Sequence, residues 1–281
     1  MTETVNRIAL GPVGVWRGGR TEPGLAVELE RLGYSALWIG SSPSAELADA
    51  EALLDATETL VVATGIVNIW KSPAAEVARS YHRIAARHPD RFVLGIGAGH
   101  REATAEFTRP YEALTAYLDV LDEAGVPKQR RVLAALGPRV LRLAADRTAG
   151  AHPYLVTPEH TREARQILGP EALLAPEQKL ILDTDPARAR AAGTSTLRMY
   201  LGLTNYVSNL RRLGFTEDEV RGDGSDRLFD AVIAHGDADH LAAAVRAHLE
   251  AGADHVPLQV IGTDDPIPAY RELAAALKLS R

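Results

Sequence analysis

The stretch RFVLGIGAGHR, residues 91–101, carries an apolar run into glycines at 95, 97 and 99 and then His100. Glycine lacks the Cβ that holds a ligand off the backbone, and a histidine directly behind it can exchange protons. Three readings of the glycines compete. A dinucleotide loop has the fingerprint G-x-G-x-x-G and usually opens its fold. Here the third glycine comes one residue early and the run is the fourth of its kind, so this reading is weak. Packing within a barrel, or a plain turn, is the second reading. The third is a strand end stripped of side chains so that a flat ligand can lie against it. His100 is then either a proton donor or cofactor contact, or a turn residue.

Other chemistry is poorly represented. The nine histidines show no H-E-x-x-H or similar spacing, and the chain has no cysteine, so no metal site is expected. Disulfides and a cysteine nucleophile are excluded. GTSTL at 193–197 lacks the last glycine of a serine-hydrolase elbow, and no G-x-x-x-x-G-K-[ST] loop occurs. Net charge is −6 without a basic cluster, so nucleic acid is not an expected partner. No apolar run approaches the roughly 20 residues of a membrane span. The first residues, MTETVNRIALG, lack the order of a signal peptide, and a cytoplasmic protein is expected.

Positioning such groups falls to repeated strand–helix units. Eight apolar runs read as strands: 7–16, 35–40, 59–70, 91–97, 130–136, 151–157, 178–184 and 255–262. Most are continuously apolar, as strands buried on both faces are. Helical patterns separate them. Leu114, Tyr117, Leu118 and Leu121 share one helix face, with Gly125 as the stop. Ser72-Pro73 and Thr157-Pro158 read as N-caps followed by proline, and TEDE at 216–219 as a capping box. The alternation predicts a parallel α/β fold, a (β/α)8 TIM barrel rather than an open doubly wound sheet. About 70 residues separate the last two runs, with helical patterns at 196–214 and 226–236. They predict a helical insertion between strands 7 and 8. Residues 1–281 read as a single domain.

Barrel chemistry sits at the C-terminal strand ends. These ends read as Trp16, Gly40-Ser41-Ser42, Asn68-Ile69-Trp70-Lys71, Gly99-His100, Leu136-Gly137-Pro138, Thr157-Pro158-Glu159, Asp183 with Asp185, and Gly262-Thr263. Two tryptophans lie there, and the first four ends hold few carboxylates. That equipment suits a cofactor that does its own chemistry and an uncharged, partly apolar substrate. Helix starts at Gly137-Pro138 and Thr157-Pro158 are candidate phosphate sites, or ordinary caps. The two carboxylates of DTDP, 183–186, argue against a phosphate after strand 7.

These pieces form a recognisable set. TGIVNIWKSPAAEVARSYHRIAARHPDRFVLGIGAGH (64–100) resembles the third-to-fourth strand region of the bacterial luciferase-like monooxygenase superfamily. AALGPRVLRLAADRTAGAHPYLVTPEH (134–160) resembles its fifth and sixth strands. LTNYVSNLRRLGF (203–215) and AGADHVPLQVIG (251–262) resemble the branch that uses the deazaflavin coenzyme F-420. The resemblance implies a TIM barrel with a flavin or deazaflavin across its mouth, and a homodimer. It implies a non-proline cis peptide around Val67-Asn68-Ile69, behind the ring. It places ring contacts at Gly97, Ala98 and Gly99, and phosphate-side contacts at Ala135, Leu136, Gly137 and Thr157 with Pro158 behind it. The chain departs from relatives that carry an acid and a histidine after strand 2, since Gly40-Ser41-Ser42 stands there, and from those with Glu where His100 stands.

The expected function is hydride transfer between F-420 and a small organic substrate. Trp16, Ser41, Asn68 and Trp70 frame the reacting face, and His100 is the candidate proton donor. An FMN-dependent monooxygenase and a non-catalytic flavin-binding barrel are the alternatives.

Overall fold

The computed structural model describes residue 8, residues 10–103 and residues 109–280. The first expected strand begins partly outside these residues, and its described part is β1, Val13–Arg17. The chain continues through α1 (Pro23–Arg31), β2 (Ala36–Ile39), α2 (Ala48–Ala56), β3 (Val61–Thr64), β4 (Val67–Asn68), α3 (Ala74–Arg87) and β5 (Phe92–Gly97). Next come α4 (Pro110–Glu123), β6 (Arg131–Leu133), α5 (Pro138–Arg147), β7 (Gly150–Ala151), α6 (Pro158–Leu168), β8 (Leu173–Leu174) and β9 (Gln178–Ile181). The remainder is α7 (Pro186–Leu201), α8 (Thr204–Arg212), α9 (Asp226–Val232), β10 (Ile233–His235), α10 (Ala238–Glu250), β11 (Val256–Val260) and α11 (Ile267–Ala276).

Every pairing among these strands is parallel, in the order β10-β9-β11-β1-β2-β3-β5-β6-β7-β8 with β4 beside β5. The path curls, because β8 and β9 are two parts of one stretch, 173–181. The N–H groups of Leu173, Ala175 and Glu177 donate to the carbonyls of Ala149, Ala151 and Pro153 at 2.7, 2.9 and 2.9 Å. Farther along, 178–180 pairs with β11 and 179–181 with β10. The two ends of the sheet therefore meet in this one segment.

The register sorts side chains into two layers. Trp16, Trp38 and Ala63 are cross-strand partners and pack with Val93 and Val132 on the inner face. Val15, Leu37 and Val62 alternate with them and face the helices. Burial on both faces explains why the runs are continuously apolar. Each fully buried Leu or Val contributes about 1.5–3 kcal/mol against leaving it in water. On α4, the expected Leu114, Tyr117, Leu118 and Leu121 are the buried residues.

Several local expectations shift. The helix after Ser72 begins at Ala74 with Pro73 as N-cap, because the Ser72 side chain is buried and points to the Pro43 carbonyl at 3.5 Å. The third apolar run splits into β3 and β4 around Gly65-Ile66. The pattern at 196–214 breaks at Gly202-Leu203 into α7 and α8. The pattern at 226–236 is helical only to Val232, where pairing with β9 takes the chain into β10. Thr216 and Glu219 do make the reciprocal capping bonds, at 2.8 and 3.4 Å, but they close a turn rather than start a helix.

The interior also holds neutral histidines. His255 donates from Nδ1 to the Gly11 carbonyl at 2.5 Å and accepts from Trp38 Nε1 at 3.1 Å. His248 donates from Nε2 to Gln178 Oε1 at 2.9 Å and accepts from Thr161 Oγ1 at 2.7 Å. His152 donates from Nδ1 to the Ala175 carbonyl at 2.7 Å and stacks on Trp38. Burial pushes each of the three down to about 4. The unfolded chain therefore binds these protons near pH 6.5, before the folded chain does. Stability is fully present above pH 6.5 and falls as pH drops toward 4, by up to about 1.4 kcal/mol per pH unit per histidine. Urea unfolding between pH 7 and 4 should show this slope. His255→Gln should reduce it by one proton, and a flat profile would contradict the assignment.

Candidate active site at the strand ends

The ring of Trp16, at the end of β1, lies across the ends of β2 and β3. A Cβ on Gly40 would fall 2.2 Å from Trp16 Cζ2, and one on Gly65 would fall 2.7 Å from Nε1, so both positions must be bare. Trp16 Nε1 donates to the Gly65 carbonyl at 3.2 Å. Ser41 is exposed beside it, and its hydroxyl accepts from the Gly19 N–H at 2.8 Å. Trp16 and Ser41 are thus brought together around Gly18.

Residues 67–70 and 97–99 form a second group. Val67 and Asn68 pair with Ile96 and Gly97. Ile69 donates from its backbone N–H to the Gly97 carbonyl at 3.1 Å, and Trp70 Nε1 donates to the Ala98 carbonyl at 2.7 Å. Asn68 is buried, and its Oδ1 accepts from the Trp70 N–H at 3.0 Å. The non-proline cis peptide expected around Val67-Asn68-Ile69 lies earlier, between Gly65 and Ile66, where the strand breaks under Trp16.

The opening glycines each have a partner within the protein. A Cβ on Gly95 would sit 1.8 Å from the Thr64 carbonyl oxygen, and the Thr64 hydroxyl bonds both the N–H and the carbonyl of Gly95 at 2.8 Å. A Cβ on Gly97 would meet Ile66 at 2.9 Å and Ala134 at 3.0 Å. Gly99 has φ +63°, and its Cβ would fall 2.5 Å from Asn68 Nδ2. Packing within the protein therefore requires glycine at all three positions, with or without a ligand.

A third group joins the two helix starts. His160, in the first turn of α6, reaches back with Nε2 to the Leu136 carbonyl at 2.8 Å, which stitches Ala135-Leu136-Gly137 to Thr157-Pro158. Thr157 caps α6 by accepting from the His160 N–H at 3.4 Å. Gly137 caps α5 without a side-chain bond, and nothing lies within 4 Å of where its Cβ would be. The start of α5 is thus the one without a side-chain cap, at the positive end of the helix dipole, although its Val140 and Leu141 N–H groups already donate to the Gly137 carbonyl at 3.2 and 3.1 Å. Asp185 caps α7, and both Asp183 and Asp185 pair with Arg188.

His100 turns away from these groups toward α8. Its Nδ1 lies 3.2 Å from Asn205 Oδ1, and its ring is 5.4 Å from that of Tyr206. Next to it, Glu102 accepts from the N–H and hydroxyl of Thr204 at 2.9 and 2.6 Å. Those bonds hold the Glu102 carboxyl down at about 2. The loop after β5 is thereby fastened to the start of α8.

Sequence reasoning missed the centre of the mouth. Rings run from His100 through Tyr206, Tyr200 and Tyr154 to Trp16, with neighbouring centroids 5.4, 5.0, 5.2 and 5.1 Å apart. Beneath them Lys179 Nζ lies 3.6 Å from the Tyr154 centroid and bonds both oxygens of Glu177 at 3.0 Å. Lys179 and Glu177 are fully buried; burial pushes Glu177 up and Lys179 down, and the contact between them opposes both shifts. The available signal was Gln178 and Lys179 at the head of the apolar run 178–184, with Glu177 just before it, since such residues are seldom buried unless paired. Among the described residues no group of three or more His, Asp or Glu could hold a metal, and no helix is long and apolar enough to cross a membrane.

Parallel strands, alternating helices and a mouth lined by aromatic rings define an α/β protein with its candidate site at the strand ends. Residues 17–125 match the family model described as luciferase-like monooxygenase, the superfamily that the sequence resembles. No curated protein matches the chain by sequence. Among solved structures, an F-420-dependent secondary alcohol dehydrogenase in complex with an F-420–acetone adduct is similar with TM-score 0.75 and 14% identity, over 97% of this chain and 99% of that one. A coenzyme F-420-dependent tetrahydromethanopterin reductase from Methanopyrus kandleri is similar with TM-score 0.76 and 15% identity, over 96% and 99%. The oxygenating constituent of 3,6-diketocamphane monooxygenase from Pseudomonas putida, in complex with FMN, is similar with TM-score 0.67 and 14% identity, over 96% and 98%. At these identities the likeness concerns the fold.

Two outcomes follow from this geometry. Gly97→Ala should lower stability by about 1–3 kcal/mol in thermal unfolding without any ligand, because the new methyl overpacks Ile66 and Ala134. Unchanged stability, with a loss confined to ligand binding, would contradict the packing role. Glu102→Ala should speed amide exchange in the first turn of α8 about fivefold, the ratio for a cap worth ~1 kcal/mol. Equal exchange rates would show that Glu102 does not fasten α8.

Proposed function

We propose that the chain is an oxidoreductase that moves hydride between the deazaflavin coenzyme F-420 and a small, uncharged organic substrate. We take residues 1–281 as one domain and the curled sheet as a (β/α)8 barrel, in which α7 to α9 and β10 form the insertion before the last strand. The hydrogen bonds of residues 173–177 to 149–153 support the barrel. The observation that carries the function is the composition of the mouth. Aromatic and backbone groups line it, and Glu102 is bound up with Thr204. Such a site equips a bound cofactor, not a hydrolase.

The residues present fit that group. When bound, the reduced coenzyme supplies the hydride. Val67, Asn68, Ile69 and Trp70, with Gly97, Ala98 and Gly99, offer a rigid wall for the ring, tied together by the bonds at Asn68 and Trp70. Ala135, Leu136 and Gly137, with Thr157 and Pro158, offer the phosphate end an uncapped helix start. Trp16 covers the ends of β2 and β3 and restricts water there. Ser41 can still donate its hydroxyl proton, because its oxygen already accepts from Gly19. His100, held by Asn205 at the edge, is one candidate for the proton donor.

An FMN-dependent monooxygenase is the second reading, because an FMN-bound protein shares the fold. A barrel that binds a flavin without turnover is the third. Fluorescence titration with oxidised F-420 and with FMN separates the first two. Tight F-420 binding with weak FMN binding is expected, and tight FMN binding without F-420 binding would overturn the proposal. His100→Ala tests the proton donor: a loss of turnover of about 100-fold with coenzyme affinity little changed assigns the role to His100, and a loss below about threefold assigns it to another group. Failure of the unaltered protein to turn over any of a broad panel of carbonyl compounds and alcohols would favour the third reading.

A further inference from the structure

Resting on the oxidoreductase reading, we propose that the Tyr200–Tyr154 hydroxyl pair, rather than His100, is the proton donor of this site, and that it selects substrates bearing a carbonyl-type oxygen acceptor. Tyr200 comes from α7 and Tyr154 from the loop after β7, so the pair forms only when these elements meet. Tyr200 Oη donates to Tyr154 Oη at 2.8 Å, and Tyr154 Oη donates to Gln259 Oε1 at 2.6 Å. Gln259 is an amide and carries N–H donors as well as an oxygen. A half-turn of that amide reverses the chain, so that Gln259 donates to Tyr154, Tyr154 to Tyr200, and Tyr200 outward.

Three further observations support the assignment. Both tyrosines keep part of their surface open to solvent, whereas Lys179 and Glu177 beneath them are fully buried. Lys179 Nζ lies 3.6 Å from the Tyr154 ring centroid and 4.9 Å from that of Tyr200, where its charge offsets a developing phenolate. Burial also pushes both phenols up, which keeps them protonated and therefore donors at neutral pH. The Trp16 ring, 5.1 Å from Tyr154, places the pair beside the strand ends assigned to the ring.

The step balances as follows. A bound reduced coenzyme would supply hydride to the carbonyl carbon. The Tyr200 O–H bond breaks as an O–H bond forms on the substrate oxygen. The phenolate left on Tyr200 takes the Tyr154 proton through their hydrogen bond, and Tyr154 regains one from solvent. Tyr200 is the catalytic group; Tyr154, Gln259 and Lys179 are positioning residues.

The test uses Tyr200→Phe and Tyr154→Phe, each titrated with oxidised F-420 and then with benzamide, a carbonyl probe that is not reduced. Coenzyme affinity should stay within about threefold in both variants. Benzamide affinity should fall about five- to tenfold in Tyr200→Phe, the loss of one hydrogen bond. Carbonyl reduction should slow about 100-fold in Tyr200→Phe, less in Tyr154→Phe, with the solvent deuterium isotope effect altered in both. Unchanged benzamide binding and turnover in Tyr200→Phe would overturn the proposal. If the unaltered protein binds no F-420, the oxidoreductase reading fails, and the benzamide comparison still decides whether Tyr200 binds a carbonyl oxygen.

Discussion

The buried ion pair of Glu177 and Lys179 is the constraint on which the mouth depends. It lies in the one stretch, 173–181, that joins the two ends of the sheet. Taking two charges out of water costs several kcal/mol each, and only close geometry repays it. Here Lys179 meets both carboxylate oxygens of Glu177, and Glu177 also accepts from the Leu155 N–H at 3.3 Å. Removal of one partner from such a pair costs about 3–5 kcal/mol, because the other charge is left stranded. The pair therefore specifies one arrangement of β7, β9 and the loop between Ala151 and Thr157.

That arrangement fixes the rings above it. Tyr154 and Tyr200 sit over the ammonium, Tyr206 packs edge-on to Tyr200, and Trp16 leans on Tyr154. Each ring comes from a different element, so the mouth exists only in the folded chain. Glu102 and His100 fasten the far side by holding α8 to the loop after β5. The same segments that complete the sheet thus also complete the candidate site.

Much of the fold was legible because buried parallel strands are apolar on both faces. The runs at 35–40, 91–97 and 255–262 contain β2, β5 and β11. Thr157-Pro158 was legible as a cap because its chemistry is local. Ser72 was misread because a distant carbonyl, that of Pro43, took its hydroxyl. The glycine run drew attention correctly, but its reason lies in Thr64, Ile66, Ala134 and Asn68, which sequence order does not place beside it. The Tyr154–Tyr200 bond spans 46 residues, and no spacing rule reaches that far. Gly65-Ile66 likewise gave no local sign of its cis bond.

The central claim is that the strand ends form one seat for a deazaflavin. A crystal structure with oxidised F-420 bound tests it most directly. The account predicts the ring against residues 67–70 and 97–99, the phosphate end at Gly137 and Thr157, and the Tyr200 hydroxyl open to the substrate side. A ring bound elsewhere, or a phosphate away from both helix starts, would contradict it.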